Sequence, residues 1–456
     1  MADPTQSEQT ETMNIYILTY NCARTLVNPS IFAPHLFHGL PANSLSPEFL
    51  VICLQEFAPI SAAFLGGSFL TPYFNAWRDI VRLASSSKDH SYVNVISRNV
   101  GMTGIMVFAR DDVADHVKWL RTAGVGVGLG EMGNKGAVGL RIGYQSPGMA
   151  REVEFTWVSA HLAPMEDGLE RRNEDYKNIV KRLVFVSDSS SRKPVAGDEE
   201  DEDAPLLQGD DPSQQIDEAS ACGMYASSSH LFFAGDLNYR TSLLRPSPQD
   251  VDEKFPHPTT NEADPKHFQQ LLAEDQLTQQ VKAGKTLHGL SEAPITFPPT
   301  YKYRTDGNKA VIFASGEEDD RQHWSWARHR WPSWCDRIFF WNDRGNGNNI
   351  KVTPQKYTCL PLFTTSDHRP VALAATVPLK ALPNARQWGE GEGVPTAAPF
   401  DIDPDWRSRR AQARKKELAV GLMAYLALTW EGNGLLLATT IGAIGGWLVL
   451  RSLLTG

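Results

Sequence analysis

The sequence predicts a layered α+β domain ending in a hydrophobic helical tail. Three observations carry that reading. Short apolar runs rich in β-branched residues recur between residues 14 and 376, punctuated by Gly, Pro, Asn and Asp clusters, as sheet strands do. Amphipathic helical stretches are fewer. Residues 432–450, GNGLLLATTIGAIGGWLVL, contain no charged side chain. With 41% hydrophobic and 21% charged residues, the chain has the apolar mass for a large core. Its formal net charge of -9, from 44 Lys and Arg against 53 Asp and Glu, excludes a generally basic nucleic-acid binder.

In chain order, the first dozen residues are polar and lack the basic start and apolar run of a secretory signal, so folding is expected to begin in the cytosol. Strands are expected at NIYILTY from Asn14, FLVICLQE from Phe49, GIMVFAR from Gly104, GAVGLRI from Gly136, VEFTWVSAHL from Val153, LFFAGDLNY from Leu231 and DRIFFW from Asp336. Helices are expected at GLERRNEDYKNIVKRLVF from Gly168 and HFQQLLAEDQLTQQVKAG from His267. Residues 187–229, which include GDEEDEDAP, are read as a disordered acidic insertion, and the Pro- and Gly-rich stretch 378–406 as a flexible linker. The five cysteines are dispersed and form neither a disulfide framework nor a zinc pattern, which fits small buried residues in a reducing compartment.

The tail is read as a membrane anchor. The apolar run 418–430 before it either joins the span as a tilted helix or lies at the interface. The cationic stretch RSRRAQARKK, residues 407–416, would stay on the cytoplasmic face and hug an anionic leaflet, leaving the domain in the cytosol.

Several polar motifs follow directly on apolar runs: Asn21, Gln55 with Glu56, His161, and Asp236 with Asn238. Strand ends converge on one rim of a sandwich, so this spacing suits a site assembled from distant parts of the chain. Asp236 and Asn238, two apart in a strand, share a face and can point together at one water and one phosphate oxygen. Asn21, Glu56 and Asp367 offer the hard oxygen that magnesium accepts, and His368 beside Asp367 offers a cation to an anionic transition state. Each string taken alone is equally compatible with a turn or a capping group.

Taken in order, these segments resemble the inositol polyphosphate 5-phosphatases of the endonuclease/exonuclease/phosphatase superfamily. GDLNYR from Gly235 and PSWCDRI from Pro332 look like that family's two signature strings. GNKGAV from Gly133, SAHLAP from Ser159, RRNEDY from Arg171, PPTYKY from Pro298 and SDHRPV from Ser366 accompany them. The resemblance implies a four-layered α/β/β/α sandwich of the DNase I-like type over residues 13–377. It implies Mg2+ held on the side of Asn21, Glu56 and Asp367, and a water oriented or deprotonated by Asp236. Asn238 would hold the scissile phosphate, His161 and His368 would stabilise its charge, and Asp336 would keep His368 oriented and protonated. Substrate contacts are implied for Lys135, Arg172, Tyr239, Arg240, Tyr301, Lys302, Arg328 and Arg330. The chain departs from the family pattern at His329, where a lysine is usual, at Arg304 after the second tyrosine of PTYKYR, and in AHLAPMEDG; all three touch specificity rather than chemistry.

A bilayer anchor favours a lipid substrate, so the expected reaction converts phosphatidylinositol 4,5-bisphosphate to the 4-phosphate. The plan resembles small tail-anchored fungal 5-phosphatases of the endoplasmic reticulum, acting as a monomer without nucleic acid. A nuclease or sphingomyelinase would leave PSWCDRI and PTYKY without a purpose, and a silent lipid-binding scaffold is expected to lack one of the chemical residues, all of which are present.

Overall fold

Strand β1 (Thr12–Asn21) shows why two layers of sheet are needed. Its Met13, Ile15 and Ile17 face one apolar core, while Tyr16, Leu18 and Tyr20 face another. Alternate residues of a strand point to opposite faces, so a strand buried on both must lie between two further layers. The computed structural model describes residues 11–187, 223–304, 324–342, 351–382 and 398–455.

The first sheet runs in the spatial order β12 (Thr353–Cys359), β13 (Val371–Pro378), β1, β2 (Phe49–Gln55), β4 (Thr103–Arg110) and β3 (Tyr92–Val100). The second runs β10 (Leu290–Glu292), β11 (Asp336–Trp341), β9 (Ser229–Asp236), β7 (Val153–His161), β6 (Gly136–Tyr144), β5 (Val117–Gly126) and β8 (Val186–Ser187). Their facing sides enclose the central core, where Ile15, Val51 and Val107 of one sheet share a cluster with Leu140, Trp157 and Ile338 of the other. Helix Thr71–Ser85 covers the outside of the first sheet through Trp77, Ile80 and Val81, and helix Leu169–Arg182 covers the second through Tyr176, Ile179 and Val180. This is the expected four-layered α/β/β/α sandwich.

Each sheet is antiparallel except for one central parallel pair, β1 with β2 and β7 with β9. The two pairs end on the same rim. Asn21 lies opposite Gln55 in one, and His161 lies opposite Asp236 in the other. The antiparallel neighbours β11 and β13 begin where those pairs end, which brings Asp336 opposite Asp236 and sets His368 just before β13. Chain direction alone therefore gathers the polar motifs.

Two sequence expectations change. Most of the acidic insertion and the middle of the linker lie outside the described residues, but residues 223–229 are part of the fold. Met224 is buried, and the Arg141 guanidinium donates to the Gly223 and Met224 carbonyls at 2.8 and 3.3 Å. The linker's end is held as well: Phe400 packs edge-on to His288, and Asp403 N donates to Lys181 O at 2.9 Å.

The tail forms two helices, Trp406–Leu428 and Trp430–Thr455, parted at Thr429. The apolar run 418–430 therefore belongs mostly to the first helix, which packs on the domain through buried Ala413, Glu417 and Gly421. The cationic stretch is not wholly a leaflet-facing patch, because Arg409 pairs with Glu131, Arg414 donates to Phe64 O and Leu65 O, and Lys416 donates to Gly130 O. Over the second helix, Trp430–Leu454 is long and apolar enough to cross a bilayer and is not buried against the domain.

Gly235 is a position where the second sheet tolerates no side chain. Its φ is +153°, and an added Cβ would lie 1.9 Å from the Ala160 carbonyl oxygen of β7. Gly235→Ala should destabilise the domain by about 1–3 kcal/mol or more, read as a lower midpoint in urea unfolding.

Candidate active site

Asp236 ends β9, fully buried, with its carboxylate at the floor of a cleft of about 440 Å³. Its Oδ2 accepts a hydrogen bond from Asn21 Nδ2 at 2.9 Å and lies 3.2 Å from His161 Nε2 and 3.9 Å from His368 Nε2. Its Oδ1 accepts from Asn238 N at 3.1 Å. Burial alone would favour the protonated acid, but His368, His161 and Lys135 outweigh it and hold the carboxyl far below the usual range. Asp236 is therefore an ionised and weak base, better suited to orienting a water than to stripping it.

The two histidines differ in charge. His368 Nδ1 donates to Asp336 Oδ2 at 2.9 Å, and the same oxygen accepts from Thr300 Oγ1 at 2.6 Å. Burial works against the imidazolium, yet Asp336 and Asp236 overcome it and push His368 up to about 9. His161 is pushed below 6.5, first by burial and then by Lys135, so its ring is neutral at pH 7, with Lys135 Nζ 2.5 Å and Asp236 Oδ2 3.2 Å from its Nε2. Positive charge on the His161 side thus comes from Lys135, although burial lowers that ammonium too.

Asn238, at φ +58°, donates its amide to Leu162 O at 3.1 Å and accepts from Arg240 Nη2 at 2.5 Å. Arg240 is buried in the cleft wall with its guanidinium 4.2 Å over the Tyr301 ring, and its Nε and Nη1 have no hydrogen-bond partner among the described residues. Lys302 also lines the cleft and pairs with Asp367. Glu56, at φ +43°, faces Lys135 Nζ at 3.3 Å and Arg24 Nε at 3.2 Å. Burial would raise its carboxyl, but His161, Lys135 and Arg24 bring it below the ordinary value.

Of the expected residues, Asn21, Glu56, Lys135, His161, Asp236, Asn238, Arg240, Tyr301, Lys302, Asp367 and His368 line this one cleft, with Asp336 directly behind His368. Four do not. Arg172 is buried and donates to Ala163 O, Met165 O and Gln276 Oε1. Tyr239 is buried against Asn173 and Thr286. Arg328 pairs with Asp252 at the surface, and Arg330 pairs with Glu166 beside Met165. Cys335 is buried with its thiol directed at Tyr239 O, and burial pushes it well above the usual thiol range.

Three residues in and behind the cleft escaped the sequence reading. Arg24 lines it; Thr300 holds Asp336; and Ser366 bridges Asn21 O at 2.6 Å and His368 N at 3.1 Å. The local signal for Ser366 and Thr300 was their place inside SDHRPV and PPTYKY.

Asp236, Asp336 and His368 present ligand atoms within 4.8 Å of one another, a group of the kind that can hold a metal ion. His368 is the odd member, since an imidazolium donates and does not ligate. What the cleft offers a cation is carboxylate oxygen, from Asp236, Glu56 and Asp367, with one lone pair of Asn21 Oδ1 remaining after its bond to Ala23 N. Those oxygens draw Lys135, Arg24 and Lys302 as counter-charges, and a hard divalent ion fits such a donor set.

The fold and this rim define a chain of the endonuclease/exonuclease/phosphatase class. Residues 18–374 match family 2 of that class, described as endonuclease/exonuclease/phosphatase family 2, and the chain belongs to that family. It is 29% identical over 337 residues to the type II inositol 1,4,5-trisphosphate 5-phosphatase of Mus musculus, covering 73% of this chain and 27% of that one. It is 27% identical over 336 residues to polyphosphatidylinositol phosphatase INP53 of Saccharomyces cerevisiae, covering 73% and 24%. The chain thus spans about a quarter of the length of these curated relatives. Among solved structures, the inositol polyphosphate 5-phosphatase domain of SPsynaptojanin, in complex with inositol (1,4)-bisphosphate and calcium ion, shares the fold. Its TM-score is 0.57 at 20% identity, over 90% of this chain and 93% of that one. The resemblance read from the motifs is borne out at the level of the family.

The His368–Asp336 pair makes a pH-dependent contribution. A histidine raised from 6.5 to about 9 adds stability that is fully present below 6.5 and is lost as pH rises through about 9. In an NMR titration the His368 ring should turn over near pH 9, and Asp336→Asn should move that midpoint down. An unmoved midpoint would remove Asp336 as the group that holds the charge.

Proposed function

We propose that this chain hydrolyses the 5-phosphate of phosphoinositides, chiefly converting phosphatidylinositol 4,5-bisphosphate to phosphatidylinositol 4-phosphate, with magnesium and at a membrane surface. The observation that carries this reading is Arg240, a buried guanidinium that lines the cleft with two nitrogens unpartnered. Leaving buried donors of a charged group unmatched costs on the order of 1–3 kcal/mol, and more for a charge, so the site is built to receive an anion. Lys135, Lys302, Arg24 and the charged His368 line the same cleft, which suits an inositol ring bearing more than one phosphate. The names of the relatives support the ring and the bond attacked.

In this reading Asp236 Oδ2 orients a water towards phosphorus. The water oxygen bonds to phosphorus, the bond from phosphorus to the ring oxygen breaks, and that oxygen leaves with a proton as the free 5-hydroxyl. Phosphoryl transfer needs little covalent help from protein, so positioning and charge neutralisation carry the rate. Asn238 and Arg240 hold the scissile phosphate, His368 and Lys135 neutralise charge growing on it, and Asp336 keeps His368 protonated. Tyr301 and Lys302 grip the ring and its neighbouring phosphate. Glu56, Asp367 and Asn21 would hold Mg2+, which supplies Lewis-acid charge neutralisation when bound. Arg328 and Arg330, outside the cleft walls, act at its approaches.

The C-terminal helix is the proposed anchor. Its 25-residue apolar span, Trp430–Leu454, would extend about 37 Å as an α-helix, more than the ~30 Å hydrocarbon core. Tethering raises the enzyme's effective concentration at a lipid substrate. The endoplasmic reticulum is the membrane that this plan resembles.

Phosphate release from phosphatidylinositol 4,5-bisphosphate should require magnesium and fall by roughly a thousandfold or more in Asp236→Ala; turnover at the parental rate in that variant would end the assignment. Deleting residues 433–456 should move the protein from the carbonate-resistant membrane pellet to the supernatant, and continued retention in the pellet would count against the anchor.

A further inference from the structure

We infer that helix Trp406–Leu428 is a strut of the active site and that Glu417 is a positioning residue for Lys135 and Glu56. The inference rests on the reading of the cleft as catalytic. Glu417 is fully buried although it directly follows the cationic stretch 407–416. Its Oε1 accepts from the backbone N of Gly133 at 2.9 Å and from Arg410 Nη1 at 2.8 Å. Its Oε2 lies 3.5 Å from Arg414 Nη1. Arg414 in turn donates to the carbonyls of Phe64 at 2.5 Å and Leu65 at 3.0 Å, at the end of helix Ile60–Leu65, the first helix after Glu56. Two outer ties hold the same loop as Gly133: Lys416 Nζ to Gly130 O at 3.1 Å and Arg409 Nη1 to Glu131 Oε1 at 2.8 Å. Gly421 lets the helix lie flush, since a Cβ there would stand 2.9 Å from Phe64 Cβ.

These contacts close a ring. The loop held at Gly133 delivers Lys135 two residues later, and the segment held at Phe64 and Leu65 follows Glu56. Lys135 and Glu56 then meet inside the cleft at 3.3 Å. Packing alone does not call for a carboxylate at 417, because an apolar side chain would seat the helix without the desolvation cost of a buried charge. What the carboxylate adds is an acceptor for the Gly133 N–H, at a fixed distance from the residue that bears Lys135. Small displacements of such groups are expensive in rate, about a hundredfold for roughly 1 Å.

The test uses the full-length protein in detergent micelles, with inositol 1,4,5-trisphosphate and magnesium as the soluble probe and hydrogen–deuterium exchange as a second readout. Glu417→Ala should raise exchange in residues 126–137 and 56–66 and lower kcat by roughly tenfold or more, with KM changed less than kcat. Glu417→Gln keeps an acceptor for Gly133 N and should recover most of that kcat. Parental kcat in Glu417→Ala, or equal losses in the two variants, would overturn the positioning role. Should Glu417→Ala fail to fold, Arg409→Ala/Lys416→Ala removes the two outer ties at exposed side chains and should raise exchange in 126–137 with a smaller fall in kcat; no change in either overturns the strut. If the wild type releases no phosphate from any phosphoinositide, the catalytic reading fails, and the exchange comparison alone then decides whether the helix braces the loop.

Discussion

The ionised Asp236 carboxylate, almost wholly buried, constrains everything around it. A carboxylate removed from water costs several kcal/mol unless opposed by charge and hydrogen bonds. The opposition comes from both sheets at once. Asn21 reaches it from the first sheet, His161 stands beside it in the second, and His368 approaches from the turn before β13. The rim where the two central parallel pairs end is the place where a single atom, Asp236 Oδ2, can be within reach of all three. Gly235 belongs to the same constraint, because only a residue without Cβ lets β9 lie against Ala160 and bring Asp236 level with His161.

From that anchor the charges sort themselves. His368 has a second carboxylate behind it, Asp336, itself steadied by Thr300, and so remains a cation well above neutral pH. At His161 burial and the ammonium of Lys135 outweigh Asp236 and Glu56, so its ring stays neutral. The two histidines thus carry different charges because of what lies on their far sides. Arg240 and Lys302 make the cleft cationic as well, each stacked or paired with a neighbour that fixes its direction. The cleft therefore meets an anion with preset dipoles, and little reorganisation remains to be done when charge develops.

Much of this was legible in the sequence, and the misses have physical causes. In GDLNYR, Asp236, Asn238 and Arg240 reach the cleft and Tyr239 packs in the wall, but the strand expected to carry Asp236 and Asn238 together ends at Asp236, and Asn238, at φ +58°, reaches the cleft from the loop beyond it. Arg172 was grouped with the substrate contacts because it lies in a conspicuous string. It shares a helix face with Tyr176 and Ile179, both buried, and that spacing of four and seven residues marks an inward position. Ser366 and Thr300 act on backbone or on another side chain, and a sequence does not display such partners. The cationic stretch before the apolar helix was read as leaflet-facing because a run of charges looks solvated. Its partners, Glu131 and the carbonyls of Gly130, Phe64 and Leu65, lie hundreds of residues away in the chain and meet it only in the folded domain.

That placement changes how attachment to a surface relates to chemistry. Had residues 378–430 formed one flexible tether, the catalytic rim would sample every orientation above its substrate, and effective concentration would be the only gain. Instead the helix Trp406–Leu428 is fastened to the loops that carry Lys135 and Glu56, and Thr429 alone separates it from the apolar helix Trp430–Thr455. A joint one residue long leaves far fewer orientations than a linker of some fifty residues would. The segment that leads to the apolar helix is thereby tied, through Glu417 and Gly133, to the loop that carries Lys135.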